Sequence, residues 1–151
     1  MTRIRRLRCA VILPALCLGL FALSGCGGRT ASVKGTLDFP PNLTLMDTDQ
    51  VSISFQPGDS KQGGGGLGIY TPTDKSFIVQ SADGKGLPPG KYKVAVKIVP
   101  YPGSPDSEKR MASFSDLNTK YDTGASLSYD VTDEATQNIV INLEKGTITK
   151  K

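Results

Sequence analysis

Three thiols supply the most reactive side chains of this 151-residue chain, and Cys9, Cys17 and Cys26 all fall in its first 26 positions. Histidine is absent, which removes the commonest general base and the commonest transition-metal ligand. The thiol with a telling neighbourhood is Cys26, preceded by Leu23-Ser24-Gly25. The two small residues allow an extended backbone to enter a peptidase cleft, and the thiol is the side chain able to form a thioether. Were Cys26 modified in that way and the chain cut just before it, no free cysteine would remain, which would take away thiolate nucleophiles, Cys-based metal sites and any intramolecular disulfide.

Carboxylate chemistry is what is left. The 14 acidic residues include two close groups, Asp47-Thr48-Asp49 and Asp130, Asp133, Glu134. Calcium needs six to eight oxygens, and neither group has the Asp-x-Asp-x-Asp-Gly loop that would supply them, so both read as turn and strand-flanking aspartates. The run Gly63-Gly64-Gly65-Gly66 lacks the Gly-Lys-Ser/Thr of a phosphate loop and reads as a connection between strands. No catalytic residues, no metal and no cofactor beyond the lipid on Cys26 are expected, and the chain is read as a non-enzyme.

The elements that would position Cys26 lie just before it. Arg3, Arg5, Arg6 and Arg8 form a basic start, and residues 9–23 form an apolar stretch too short for a spanning helix and interrupted by Pro14 and Gly19. Together with Leu23-Ser24-Gly25-Cys26 this resembles the signal and lipobox of bacterial lipoproteins. The resemblance implies a signal peptide over residues 1–25, diacylglyceryl and N-acyl lipid on Cys26, and a cell-envelope location. Two or three acyl chains hold a protein durably, at about 0.8 kcal/mol per buried CH₂. Gly27 stands where an aspartate would retain an enterobacterial lipoprotein in the inner membrane, so the outer membrane is favoured.

Removing residues 1–25 takes four of the 18 basic residues, leaving 14 against 14 acidic ones. The basic surplus thus belongs to the export segment, and a nucleic-acid partner, which requires a concentrated basic footprint, is not expected. The expected partners are membrane lipid through the anchor and an envelope protein or glycan, with the chain itself a monomer. Residues 26–32 form a short tether that reaches at most about 20 Å.

Beyond residue 33 apolar and polar residues alternate in short runs, the pattern of strands with one buried face. Val51-Ser52-Ile53-Ser54-Phe55 shows it, and residues 91–99 place Tyr92, Val94, Val96 and Ile98 on one face with Lys91, Lys93 and Lys97 on the other. Residues 127–131 and 139–143 repeat it, and residues 32–39, 67–70 and 76–80 supply three further candidates. Pro40-Pro41-Asn42, Pro57-Gly58-Asp59, Asp83-Gly84, Pro88-Pro89-Gly90 and Asp122-Thr123-Gly124 punctuate them. Seven antiparallel strands predict an all-β, Greek-key sandwich over residues 33–145, followed by a tail over residues 146–151. Residues 100–120 read either as one short helix, capped by Ser104 or Asp106, or as an ordered crossover loop, with a loop carrying a helical turn favoured. The lysine strip reads as a solubilising face that blocks edge pairing. Tyr70, Tyr101 and Tyr121 are candidates for stacking on sugar rings.

Leu87-Pro88-Pro89-Gly90-Lys91-Tyr92-Lys93-Val94 resembles the Leu-Pro-x-Gly-x-Tyr-x-Val turn and strand of carboxypeptidase regulatory-like domains, which have a transthyretin-like sandwich fold. Val33-Lys34-Gly35-Thr36-Leu37 is similar to their opening strand, and Val51-Ser52-Ile53-Ser54-Phe55 to the next. Leu117-Asn118-Thr119-Lys120-Tyr121 with the two runs after it resembles the ending of small bacterial lipoproteins of this type. Two departures stand out. Thr73-Asp74-Lys75-Ser76-Phe77 is one residue shorter than the family turn and lacks its glycine, and no proline opens the segment at Leu117. The resemblance implies an accessory domain without catalytic residues.

Overall fold

A computed structural model describes residues 29–59 and 64–151. The expected signal peptide, Gly25 and Cys26 lie outside the described residues. The elements run β1 (Ser32–Asp38), β2 (Gln50–Pro57), β3 (Gly66–Thr71), β4 (Ser76–Ser81), β5 (Gly90–Val99), α1 (Ser107–Tyr121), β6 (Ser128–Val131), β7 (Thr136–Asn142) and β8 (Thr147–Lys150).

The all-β class holds, with corrections to its detail. Eight strands, not seven, form a single barrel-like sheet in the order β6-β5-β2-β3-β4-β1-β7-β8, nearly closed on itself instead of split into a two-sheet sandwich. The strands pair antiparallel except β1 with β7, which run parallel from Ser32↔Thr136 to Asp38↔Asn142. The additional strand β8 lies within the expected tail; its single large apolar residue, Ile148, sits opposite Ile141 and gives too short a pattern to stand out in sequence.

Alternation is realised as the sequence implies on β2 and β5. Ile53, Phe55, Tyr92, Val94, Val96 and Ile98 are buried, while Lys91, Lys93 and Lys97 are exposed. β5 lies between β6 and β2, so Lys91 and Lys93 are not on an edge and the edge-blocking reading does not apply to them, while Lys97 lies beyond the reach of β6. Gly90 enters β5 with φ +146°, a conformation that glycine adopts without a Cβ clash. Two residues later the buried Tyr92 turns its hydroxyl back to donate to the Pro88 carbonyl at 2.9 Å, fastening the turn to the strand.

The segment before Tyr121 is a 15-residue helix, where the sequence suggested a loop with one turn. Phe114, Leu117 and Tyr121, at helical spacing, are its buried face, and three contacts in fifteen residues make a faint periodic signal. Asp106 occupies the cap position in a left-handed conformation without a side-chain capping bond; its carbonyl accepts the Arg110 N–H at 2.9 Å. The helix covers the part of β5 that β6 does not reach. Asn118 there substitutes for a neighbouring strand: Ile98 N–H donates to its Oδ1 and its Nδ2 donates to the Ile98 carbonyl, both at 2.8 Å. Tyr121 donates to the Leu143 carbonyl at 2.8 Å, tying the helix to the end of β7. Buried Gln137 on β7 accepts from Tyr129 on β6 at 2.7 Å and donates to the Thr132 carbonyl at 3.0 Å, so β6 and β7 are bridged by side-chain bonds across the opening of the sheet. Among the described residues no helix is long and apolar enough to cross a membrane.

Candidate functional site

The strand registers give the barrel two distinct ends. One end gathers the starts of β1, β5 and β7 with the ends of β2, β4, β6 and β8. The first described residues lie there, and reciprocal backbone bonds of 2.7 and 2.9 Å between Ala31 and Leu87 fasten them. The opposite end is reached by following β1 to Asp38, a rise of roughly 20 Å at ~3.3 Å per residue.

At that opposite end lies a cleft of about 360 Å³, lined by residues 39–41 and 43–47 and by Tyr70, Pro72 and Lys75. Its apolar wall is the pair Phe39 and Tyr70, edge to face with centroids 6.2 Å apart at 85°. Pro40 and Pro41 restrict the backbone on one side, and the Pro40 carbonyl accepts the Leu43 N–H at 3.0 Å. On the other side the β3–β4 turn contains no glycine and places Lys75 in the left-handed region, φ +54°. Asp74 stabilises that turn by accepting the Ser76 hydroxyl at 2.8 Å and the Ser76 N–H at 3.2 Å, and these bonds hold its carboxyl below the usual value. Burial, with a smaller contribution from the charge of Asp74, raises the Tyr70 phenol, so Tyr70 stays a neutral donor.

The loop that forms the cleft wall is pinned from behind. Asp49 accepts two hydrogen bonds from the Arg110 guanidinium, one of them 2.8 Å at Nη1, and a third from the Met46 N–H at 2.8 Å. The Asp49 side chain is fully buried, Arg110 is 13% exposed, and the guanidinium lies 5.5 Å above the Phe114 ring. A planar fork on a carboxylate fixes both partners in orientation, so the loop is set relative to α1.

The two acidic groups singled out in sequence lie at opposite ends. Asp49 is committed to Arg110 while Asp47 is exposed beside the cleft; at the tether end Glu134 pairs with Lys150, and Asp130 and Asp133 are exposed. Among the described residues no three His, Cys, Asp or Glu side chains are grouped to hold a metal. The three tyrosines do not converge: Tyr121 is buried, Tyr101 is half exposed near Gly103, and Tyr70 alone faces the cleft. Phe39 and the Asp49–Arg110 pair were not singled out in sequence. Partners 61 positions apart leave no local spacing, and the sequence marked only the adjoining Pro40-Pro41-Asn42 as a turn.

The arrangement defines a small all-β domain with a rigid aromatic and proline-walled cleft at one end and its chain entry at the other. It offers stacking surface and hydrogen-bond donors. Comparison with protein-family models, with characterised proteins and with solved structures yields no match.

Proposed function

We propose that this chain is a cell-envelope lipoprotein, lipidated on Cys26, cut between Gly25 and Cys26, and held on a membrane, favoured to be the outer one, as a non-enzymatic interaction or structural module. The single observation that carries the reading is the polarity of the barrel: the fastened chain entry at Ala31 is five residues from Cys26, while the cleft opens at the far end of β1. Such a domain sits close to the bilayer and presents residues 39–47 to the envelope space. Intact mass of the membrane-extracted protein beside Cys26→Ala tests the anchor. The wild type is expected to carry the mass of diacylglyceryl and N-acyl groups and the variant none; an unlipidated wild type refutes it. In-cell crosslinking from a photoreactive residue at position 42 tests the module and is expected to trap an envelope partner.

A second reading, a carbohydrate- or small-ligand-binding lipoprotein serving a transporter or envelope enzyme, is favoured by the Phe39–Tyr70 wall and the neutral Tyr70 phenol. It predicts that a glycan raises the melting temperature of the wild type and not of Tyr70→Ala; a glycan and metabolite screen without any shift counts against it.

A further inference from the structure

Strand β3 is built inside out. Its inward positions are Gly66, Gly68 and Tyr70, and its large aliphatic side chains, Leu67 and Ile69, point to solvent. The register permits nothing else, because the space inside is already filled: a Cβ on Gly68 would stand 2.8 Å from the Ile53 Cβ, and one on Gly66 2.7 Å from a Val79 methyl. Since the side-chain period of a strand is two, filling the inside with neighbours commits Leu67 and Ile69 to the outer face. Ile78 on β4 lies directly opposite Ile69 and is also exposed. Leu67, Ile69 and Ile78 are 63%, 54% and 53% exposed and adjacent, half of the large exposed hydrophobics among the described residues.

Their place along the barrel is uneven. Counted from the tether end, the first outward row across β1, β4 and β3 is Ser32, Gln80, Leu67; the second is Lys34, Ile78, Ile69; the third is Thr36, Ser76, Thr71. The apolar side chains are confined to the two rows nearest the tether. Strands β1 to β4 contain one basic residue, Lys34, beside Ile78, and one acidic residue, Asp38, at the far end. Lys151 lines the same hollow as Lys34 and Ile78. Of the acidic residues near this end, Asp83 is matched by Lys85 and Glu134 by Lys150.

We infer that this outer face of β3 and β4 rests on the anionic lipid bilayer that holds the acyl chains. The inference rests on the lipid anchor proposed above and goes beyond it, since an anchor alone leaves the domain free to tumble. Three features select the bilayer over a second copy or another protein. From Cys26 to Ser32 the backbone spans at most about 20 Å, so the two apolar rows lie within reach of the headgroups. Three side chains are far short of the roughly 800 Å² per partner that a free protein–protein interface requires, yet they suffice when a covalent tether already supplies a high local concentration. An apolar face bordered by Lys34 and Lys151, with no carboxylate on β3 or β4, complements anionic headgroups over an acyl layer. Resting on this face directs the cleft away from the membrane.

The test uses the full, lipidated protein in vesicles of phosphatidylethanolamine and phosphatidylglycerol. After processing no native thiol is free, so Gln80→Cys and Asn42→Cys each accept a single fluorophore. Quenching by doxyl-labelled lipid is expected at position 80 and not at position 42. It is expected to be lost in Leu67→Gln/Ile69→Gln/Ile78→Gln, whose polar residues on the solvent face leave the core untouched. Equal, weak quenching at both positions in a protein whose mass carries the lipid overturns this inference and leaves the anchor standing. A wild-type mass without lipid overturns the anchor itself. Shielding of position 80 that vanishes when protein is diluted at constant lipid assigns the face to a second copy and also overturns the inference.

Discussion

Replacing Arg110 with alanine is the sharpest test of how the cleft loop is held. The substitution leaves the Asp49 carboxylate fully buried with the Met46 N–H as its remaining hydrogen-bond donor of the three. Breaking a buried pair from one side costs about 3–5 kcal/mol, because the surviving charge has lost its partner and cannot reach water. Against a typical total of about 5–15 kcal/mol this is a large loss, equivalent to a melting temperature lower by roughly 12–20 °C. Asp49→Ala should cost less, about 2 kcal/mol, since Arg110 retains some exposure and its place over Phe114 and can turn toward solvent. The double variant should fall short of the sum, with a coupling on the order of 2 kcal/mol. Urea titrations of the four proteins, with slopes compared to check that the unfolded surface is unchanged, measure this directly. A loss below about 1 kcal/mol for Arg110→Ala, or strict additivity, would show that the pair is solvated and that something else fixes the loop.

Asn118→Ala removes both bonds to Ile98 and exposes the edge of β5, with an expected cost of about 2 kcal/mol and faster hydrogen exchange at the Ile98 amide. Lys75→Gly relieves a left-handed non-glycine residue and should raise stability by about 1 kcal/mol, read in a thermal melt; a decrease refutes the strain assigned to this turn. Asp74 and Asp83 both have carboxyls lowered from 3.8, each first by a serine hydroxyl. A depressed folded-state value means stability that is present above 3.8 and lost as the pH falls through the lowered value. Melts followed from neutral pH to below 3.8 should therefore decline less steeply for Asp74→Asn/Asp83→Asn than for the wild type.

Much of the strand content was legible because alternation is local. The runs around Val51 and Tyr92 declare two faces within five residues, and the structure buries the declared apolar one. Tyr92 lies on the apolar face that alternation declares, whereas the bond of its hydroxyl to the Pro88 carbonyl is visible only in the structure. The helix was underread because its contact face is Phe114, Leu117 and Tyr121 alone. The cleft was hardly legible: its aromatic wall joins Phe39 to Tyr70, and its brace joins Asp49 to Arg110, pairs made by folding.

The residues alone specify which side chains share a face and where turns break the strands. Alternation cannot say which face is inside. On β3 the larger residues would have been assigned to the core, and the structure turns them outward because Ile53, Val79 and Leu87 already occupy the space beside Gly66 and Gly68. Nor can it choose neighbours: the parallel pairing of β1 with β7 and the near closure of one sheet follow from satisfying every strand's backbone at once, a condition that exists only when the whole chain is assembled.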